Sequence, residues 1–353
     1  MSSLVEYGLR LLAGLAGGWL VITTVSGAIR SFVLPRNESV RLNVFVFSGV
    51  RALFDFAARR ASNYARRDRI MSHYAPVGLV ALPIGWLALV GLGYTGIYWA
   101  LGVEDFTKSY ELSGSSLLTL GTAKQNGFVI NVFSYSEATL GLLLLTLLIS
   151  YLPTIYQAFS RREIIVAQLE LRAGIPTSAC GLLRWLGHDQ SFENDDAQWL
   201  TWEKWFVEID ESHTSLPVLA FFRSPQAGRS WVTAAGLILD AANLLFSALD
   251  VPRSRQVELT FVAGCLALNR IHRFFDEKSG TEPAELRSEI EQENATPDRR
   301  KFALAWQDLR AAGLPLRPSE EEAWRHYTER RQRYAEALDF LEKLLMAPNP
   351  ASK

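Results

Sequence analysis

Hydrophobic residues are distributed unevenly along this chain. Up to residue 160 they form long apolar runs; beyond Arg161 they give way to shorter, periodic groups among charges. Residues 11–29 are a stretch of 19 without a charge, bounded by Arg10 and Arg30. Residues 77–103 are a stretch of 27 that includes Trp86, with Tyr94, Tyr98 and Trp99 towards its end, where interfacial aromatics belong. Residues 138–160 are a stretch of 23 closed by Arg161 and Arg162. A helix needs roughly 20 apolar residues to cross hydrocarbon, so the pattern predicts three transmembrane helices. The first reads as a retained span and not as a secretory signal. Only Arg10 precedes it, Glu6 offsets that charge, and no clear small-x-small cleavage site follows.

Between the second and third runs, residues 105–118 (DFTKSYELSGSSLL) predict a helix of about four turns, too polar and too short to span. Thr119-Leu120-Gly121-Thr122-Ala123 follows, then Lys124-Gln125-Asn126-Gly127, and an apolar helix resumes near Phe133. The plain alternative is an external hairpin, polar because it touches water.

Charge sets the expected topology. Residues 30–75 carry nine arginines (Arg30, Arg36, Arg41, Arg51, Arg59, Arg60, Arg66, Arg67 and Arg69) against Glu38, Asp55 and Asp68. Residues 104–137 carry only Lys108 and Lys124 as cations. The positive-inside rule then places the first linker and the C-terminal half in the cytoplasm and the N-terminus outside. In that linker Val44, Phe45, Phe47, Val50, Leu53, Phe54 and Ala57 recur at roughly helical spacing among arginines. Two readings are open: an interfacial helix on the anionic leaflet, or a helix packed on the cytoplasmic domain.

Helical periodicity dominates the C-terminal half. Residues 164–174 continue the third run. Trp199, Leu200, Trp202, Trp205, Phe206 and Ile209 form an apolar stripe. Residues 231–249 read as a buried core helix, with a further span as the alternative, because Asp240 and Asn243 interrupt an otherwise apolar run. Residues 256–275 form another helix. Residues 319–346 read as one long charged helix begun by a Ser-Glu-Glu-Glu cap.

Composition narrows the function classes. A formal net charge of −1 gives no basic surplus for a nucleic-acid partner. Cys180 and Cys265 both fall in the half expected in the cytosol, where a disulfide is not expected. The five histidines show no metal-ligand spacing, so no metal and no cofactor are expected. His213 lies beside Asp210 and Glu211, but no nucleophile or oxyanion site accompanies it, and the chain does not read as an enzyme.

Leu117-Leu118-Thr119-Leu120-Gly121 sits where a pore helix would run into a Thr-x-Gly filter. Glu137-Ala138-Thr139-Leu140-Gly141 then opens a Leu-rich helix. At these residues, within 77–162, the chain resembles the two-helix pore-loop module of the potassium-channel superfamily. The resemblance implies a homotetramer in which backbone carbonyls of Thr119, Leu120, Gly121, Thr122 and Ala123 contact monovalent cations. It implies a pore helix carrying Ser113, Ser115 and Ser116. It implies a pore-lining third span with Gly141 as a bend point, Pro153 as a break near its cytoplasmic end, and Leu152, Ile155 and Phe159 as a hydrophobic gate. Glu137 would either bond behind the filter or face external water. Thr122, Ala123 and Lys124 stand where the family carries Tyr, Gly and Asp, so a shortened filter of altered selectivity is expected.

The expectation is therefore an all-α integral membrane protein of three transmembrane helices and a re-entrant pore helix, followed by a helical cytoplasmic domain. Its parts are an N-terminal span (1–30), a basic linker (31–76), a pore module (77–162) and the cytoplasmic domain (163–353). It would lie in the plasma (inner) membrane, with the lipid bilayer and monovalent cations as partners. The function expected is a cation-channel subunit gated by its helical domain. The alternative is a non-conducting membrane-anchored sensor or scaffold.

Overall fold

The structure, a computed structural model, describes residues 2–33, 41–60, 64–189, 192, 195–226, 228–279 and 299–347. Arg36 and Glu38 of the basic linker lie outside the described residues. Every regular element among the described residues is a helix, and Leu249 and Leu316 form an isolated antiparallel bridge. The chain divides into two compact units, Met1–Tyr156 and Gln157–Lys353.

The first unit contains α1 (Ser2–Val33), α2 (Arg41–Arg59), α3 (Tyr64–Met71), α4 (Tyr74–Ala100), α5 (Phe106–Leu117) and most of the apolar part of α6 (Phe128–Ala173). Among the described residues, four helical stretches are long and apolar enough to cross a membrane: Val5–Ser31, Arg66–Ala100, Phe128–Ala173 and Trp231–Ala248. They differ in how much protein covers them. Of an apolar 18-residue portion in each of the first three, 28%, 39% and 17% is buried, whereas 78% of Trp231–Ala248 is buried, and it is a core helix of the second unit.

α1 and α4 form the most extensive helix pair. Apolar helices in hydrocarbon gain nothing by hiding apolar surface from each other, so tight pairing depends on small residues that let backbones meet. A Cβ on Gly17 would run into the Gly93 carbonyl; one on Gly93 would lie 2.8 Å from the Gly17 oxygen; one on Gly96 would lie 2.6 Å from the Ala13 oxygen. Away from this seam, Leu11, Leu15, Trp19 and Ile22 are exposed. α2 also packs on α4: the Phe47 ring occupies the space above Gly78, Val46 lies against Gly85, and the Tyr74 hydroxyl donates to the Phe47 carbonyl at 3.5 Å. α2 thus rests on α4 in the first unit. Phe45, Leu53 and Phe56 remain exposed on it.

The second unit has a conventional core. It contains the C-terminal part of α6, α7 (Ala179–Leu186), α8 (Asp196–Ser215), α9 (Trp231–Ala248), α10 (Arg255–Ser279), α11 (Arg299–Ala311), α12 (Glu320–Arg331) and α13 (Ala335–Leu344). Trp199, Trp202, Trp205, Phe206 and Ile209 of α8 are buried in it, while Leu200 falls off the stripe and is exposed. Asp240, the charge inside α9, accepts from Arg331 Nη1 at 2.7 Å and from the Tyr334 hydroxyl at 2.6 Å. That inward turn of Tyr334 corrects the single long helix expected over 319–346. The chain leaves helical geometry after Arg331 so that the tyrosine can enter the core, and α13 restarts at Ala335. The predicted cap is present: Ser319 Oγ accepts from Glu322 N.

A buried cation anchors α6 in this unit. Arg162 is 3% exposed. It donates to Glu163 Oε1 at 2.8 Å, to the Leu219 carbonyl at 2.9 Å and to the Phe222 carbonyl at 2.7 Å. His213 Nε2 lies 3.3 Å from Arg162 Nη1, and His213 Nδ1 lies 3.0 Å from the Ile209 carbonyl. A carbonyl only accepts and a guanidinium only donates, so the ring carries its proton on Nδ1 and is neutral. Burial first, and the facing Arg162 second, hold the His213 pKa well below its ordinary value. The unfolded chain therefore takes up a proton below about pH 6.5 that the folded chain refuses, and stability is lost as pH falls through that range. Glu342 acts with the opposite sign. Burial pushes its carboxyl up to about 7, so it favours the folded state as pH falls from there.

Two outcomes follow. Gly93→Leu is expected to cost about 1–3 kcal/mol by forcing α1 off α4, whereas Gly18→Leu, which has open space around its Cβ, leaves the melting midpoint in detergent near wild type. Equal midpoints for the two would remove the seam. Separately, His213→Asn is expected to flatten the difference in stability between pH 7 and 5 relative to wild type, by up to about 1.4 kcal/mol per pH unit. Denaturant titrations at each pH measure it, and parallel pH profiles would contradict the neutral buried ring.

Candidate functional site

The segment between α4 and α6 is built from its ends inwards. Asp105 caps α5: its carboxylate accepts from Lys108 N at 2.7 Å, satisfying one of the free N–H groups at a helix start. At the other end Thr119 N donates to the Ser116 carbonyl at 3.1 Å and Leu120 N to the Ser115 carbonyl at 2.8 Å. This pair of bonds is a Schellman stop, whose left-handed residue is usually glycine. Here it is Thr119, at φ 55°, a geometry that costs a branched residue about 1–2 kcal/mol. Gly121, at φ 69°, takes the second left-handed turn at no such cost. Ser115 then pins the irregular segment that follows, because its hydroxyl accepts from Ala123 N at 3.0 Å.

Three helices meet on one carboxylate behind this segment. Glu137 of α6 is 0% exposed. Its Oε1 lies 2.5 Å from Ser113 Oγ of α5, and its Oε2 accepts from the Tyr98 hydroxyl of α4 at 2.8 Å. Ser113 Oγ is also 2.9 Å from the Gly91 carbonyl of α4, and Tyr94 of α4 bonds Ser136 of α6 at 2.8 Å. Of the two places expected for Glu137, it occupies the one bonded behind the loop. Gly141, expected as a bend point, is where α6 comes up against α5: a Cβ there would strike the Leu117 carbonyl.

The remaining sequence-predicted residues are distributed as follows. Ser113 and Ser115 are buried and Ser116 is half-buried. Thr119, Leu120, Gly121, Thr122 and Lys124 are exposed, and Ala123 is half-buried. α6 begins at Phe128, earlier than the expected Phe133, directly after Gly127, whose carbonyl accepts from Asn131 N at 3.0 Å. Pro153 lies inside α6. Of the three residues expected to form a gate, Leu152 is 42% exposed, Ile155 is 1% exposed, and Phe159 packs on Phe222 with ring centroids 5.6 Å apart. Only Leu152 of these offers an open apolar surface in a single chain.

Glu137 was singled out in the sequence, but its partners Ser113 and Tyr98 were not. It is the only acidic residue in 112–162, and a lone carboxylate in so apolar a stretch persists only with partners. One feature was missed in the sequence, a heptad on α6. Phe128, Tyr135, Leu142, Ile149 and Tyr156 recur every seven residues and are between 57% and 84% exposed, the spacing by which helices present one stripe to a neighbour.

No protein-family model, curated protein or solved structure matches this chain.

Glu137→Leu is expected to lower stability in detergent by about 1–3 kcal/mol, through the hydroxyls it leaves without their carboxylate. Glu137→Gln keeps one acceptor and one donor in place and is expected to fall between. Thermal melts rank the three proteins, and a Leu variant as stable as wild type would show that the carboxylate does not tie α4, α5 and α6 together.

Proposed function

We propose that the chain is one subunit of a homotetrameric channel for monovalent cations, in which α5 and residues 118–127 form a re-entrant loop between two spanning helices. The observation that carries this is the way the loop is fixed. Glu137 ties α5 to both flanking helices, and Ser115 holds Ala123. A segment of irregular backbone with exposed carbonyl-bearing residues is thereby set at the carbonyl end of a short helix, whose dipole favours a cation. Irregular backbone at membrane depth survives only in protein or along water, and one loop cannot enclose an axis, so several copies are needed. The exposed heptad on α6 supplies a surface for them.

On this reading α1, α4 and α6 span the membrane and α9 does not. The arginines of residues 30–75 lie inside, Lys108 and Lys124 outside, and the second unit is a cytoplasmic control domain. Thr122, Ala123 and Lys124 shorten the filter and place cationic charge at its outer end, which favours weak selectivity among monovalent ions. The same exposed Lys124 is the observation that favours the second reading, a non-conducting membrane-anchored sensor or scaffold.

Reconstitution in liposomes separates the two. Wild type is expected to carry monovalent cation flux, and Gly121→Pro, whose ring cannot adopt the positive φ of that position, is expected to reduce it to the lipid background. A strict monomer in detergent removes the pore design. An oligomer that carries no monovalent cation under any voltage or pH tried supports the scaffold.

A further inference from the structure

The second unit contains a concave site that the pore reading does not use. A cavity of about 260 Å³ is lined by Phe246 of α9, Arg253 and Arg317 beside the Leu249–Leu316 bridge, Arg330 at the end of α12, and Arg333 just beyond it. His326 and Glu329 complete the wall, so one carboxylate faces four guanidinium groups.

Other arginines of α11 and α12 face carboxylates. Arg331 is paired with Asp240 at 2.7 Å, Arg299 with Glu321 at 2.7 Å, and Arg325 lies 4.0 Å from Glu322. Among the described residues, none of the four arginines at the cavity forms an ion pair with a carboxylate. Ring faces and backbone hold three of them instead. The Arg330 guanidinium lies 5.3 Å from the Phe246 centroid, Arg333 lies 5.2 Å from the Phe261 centroid, and Arg317 Nε donates to the Leu249 carbonyl at 3.2 Å. These contacts fix side-chain orientation without consuming the positive charge. Burial, and after it the field of Arg253, lowers the Arg330 pKa, as expected where cations crowd without enough counter-charge. Arg330 and Arg333 are three residues apart, but Arg253 and Arg317 are distant in the chain, so one helix surface does not account for the cluster. It is assembled by the fold, from the loop after α9, the segment before α12, and the end of α12.

We propose that this cavity binds a small phosphate-bearing anion of two or more negative charges, gripped by Arg253, Arg317, Arg330 and Arg333. Planar guanidinium forks match phosphate oxygens two at a time, which a single carboxylate ligand would use less fully. The volume is just below the range of about 300–1,000 Å³ usual for small-molecule sites, which suits a compact phosphorylated group and not a polymer. A soluble phosphate compound and the phosphorylated headgroup of a lipid share this chemistry. The proposal does not rest on conduction, and its test reads binding alone.

The full chain in detergent is titrated by calorimetry with inorganic pyrophosphate, with a water-soluble short-chain phosphatidylinositol bisphosphate, and with short-chain phosphatidylcholine. At least one phosphorylated probe is expected to bind saturably and raise the melting midpoint, and phosphatidylcholine is not. Pyrophosphate binding assigns a soluble ligand; binding of the phosphoinositide alone assigns a headgroup. Arg330→Gln and Arg333→Gln are each expected to weaken binding about tenfold or more, and Arg325→Gln, outside the cavity, leaves it unchanged. Arg253→Gln, in a loop, replaces either helix-end variant that fails to fold. Absence of binding by both phosphorylated probes, or equal affinity in the cavity variants, overturns the site.

Discussion

A carboxylate removed from water must find hydrogen-bond donors, and Glu137 finds them on two other helices. The placement of α5 between α4 and α6 leans on that demand. Ser113 can reach it only if α5 lies along α4 and α6 at once. Tyr98 can reach it only if α4 presents its aromatic end to α6. The position of residues 118–123 follows, because α5 ends where Gly141 lets α6 close on Leu117. Apolar contacts alone would allow α5 to slide along its neighbours at little cost. The carboxylate has two oxygens and two directions, so it fixes register as well as proximity.

The two units are held by different physics. In the first, α1 and α4 meet through glycine at backbone contact, and Leu11, Leu15, Trp19 and Ile22 stay exposed although Trp86 and Tyr98 are buried. In the second, tryptophan and phenylalanine fill a core, and the charges within it are matched: Asp240 with Arg331 and Tyr334, Arg162 with Glu163 and backbone carbonyls. α6 belongs to both regimes. It is uncovered and apolar over its first part and anchored by a buried guanidinium after Gln157.

Sequence pattern carried the helices well where a property is local. Apolar length marked α1, α4 and α6; Asp105 marked the start of α5; Ser319 marked the start of α12. It carried less where the deciding partner is distant in the chain. The split between α12 and α13 depends on Tyr334 meeting Asp240, 94 residues away. The role of Gly141 depends on Leu117, and the exposed apolar edge of α2 on how Phe47 seats over Gly78. For the candidate loop, the serines and the Thr-x-Gly turn were legible. A bond from Glu137 behind the loop was one of two placements open in the sequence, but its partners Ser113 and Tyr98 were not legible. The arginine cavity was not visible, because Arg253 and Arg317 meet Arg330 and Arg333 only in the fold.

The glycine seam between α1 and α4 also bears on how such a protein can vary over time. A contact made of backbone against backbone has no side chain to exchange for another of similar size, so drift by compensating pairs, the usual route in a packed core, is closed there. Gly8 and Gly18 on the same helix have open space around them and are free to change. One flank of α1 is thus frozen and the other permissive. The boundary between them would be readable as a stripe of intolerance in any deep library of substitutions.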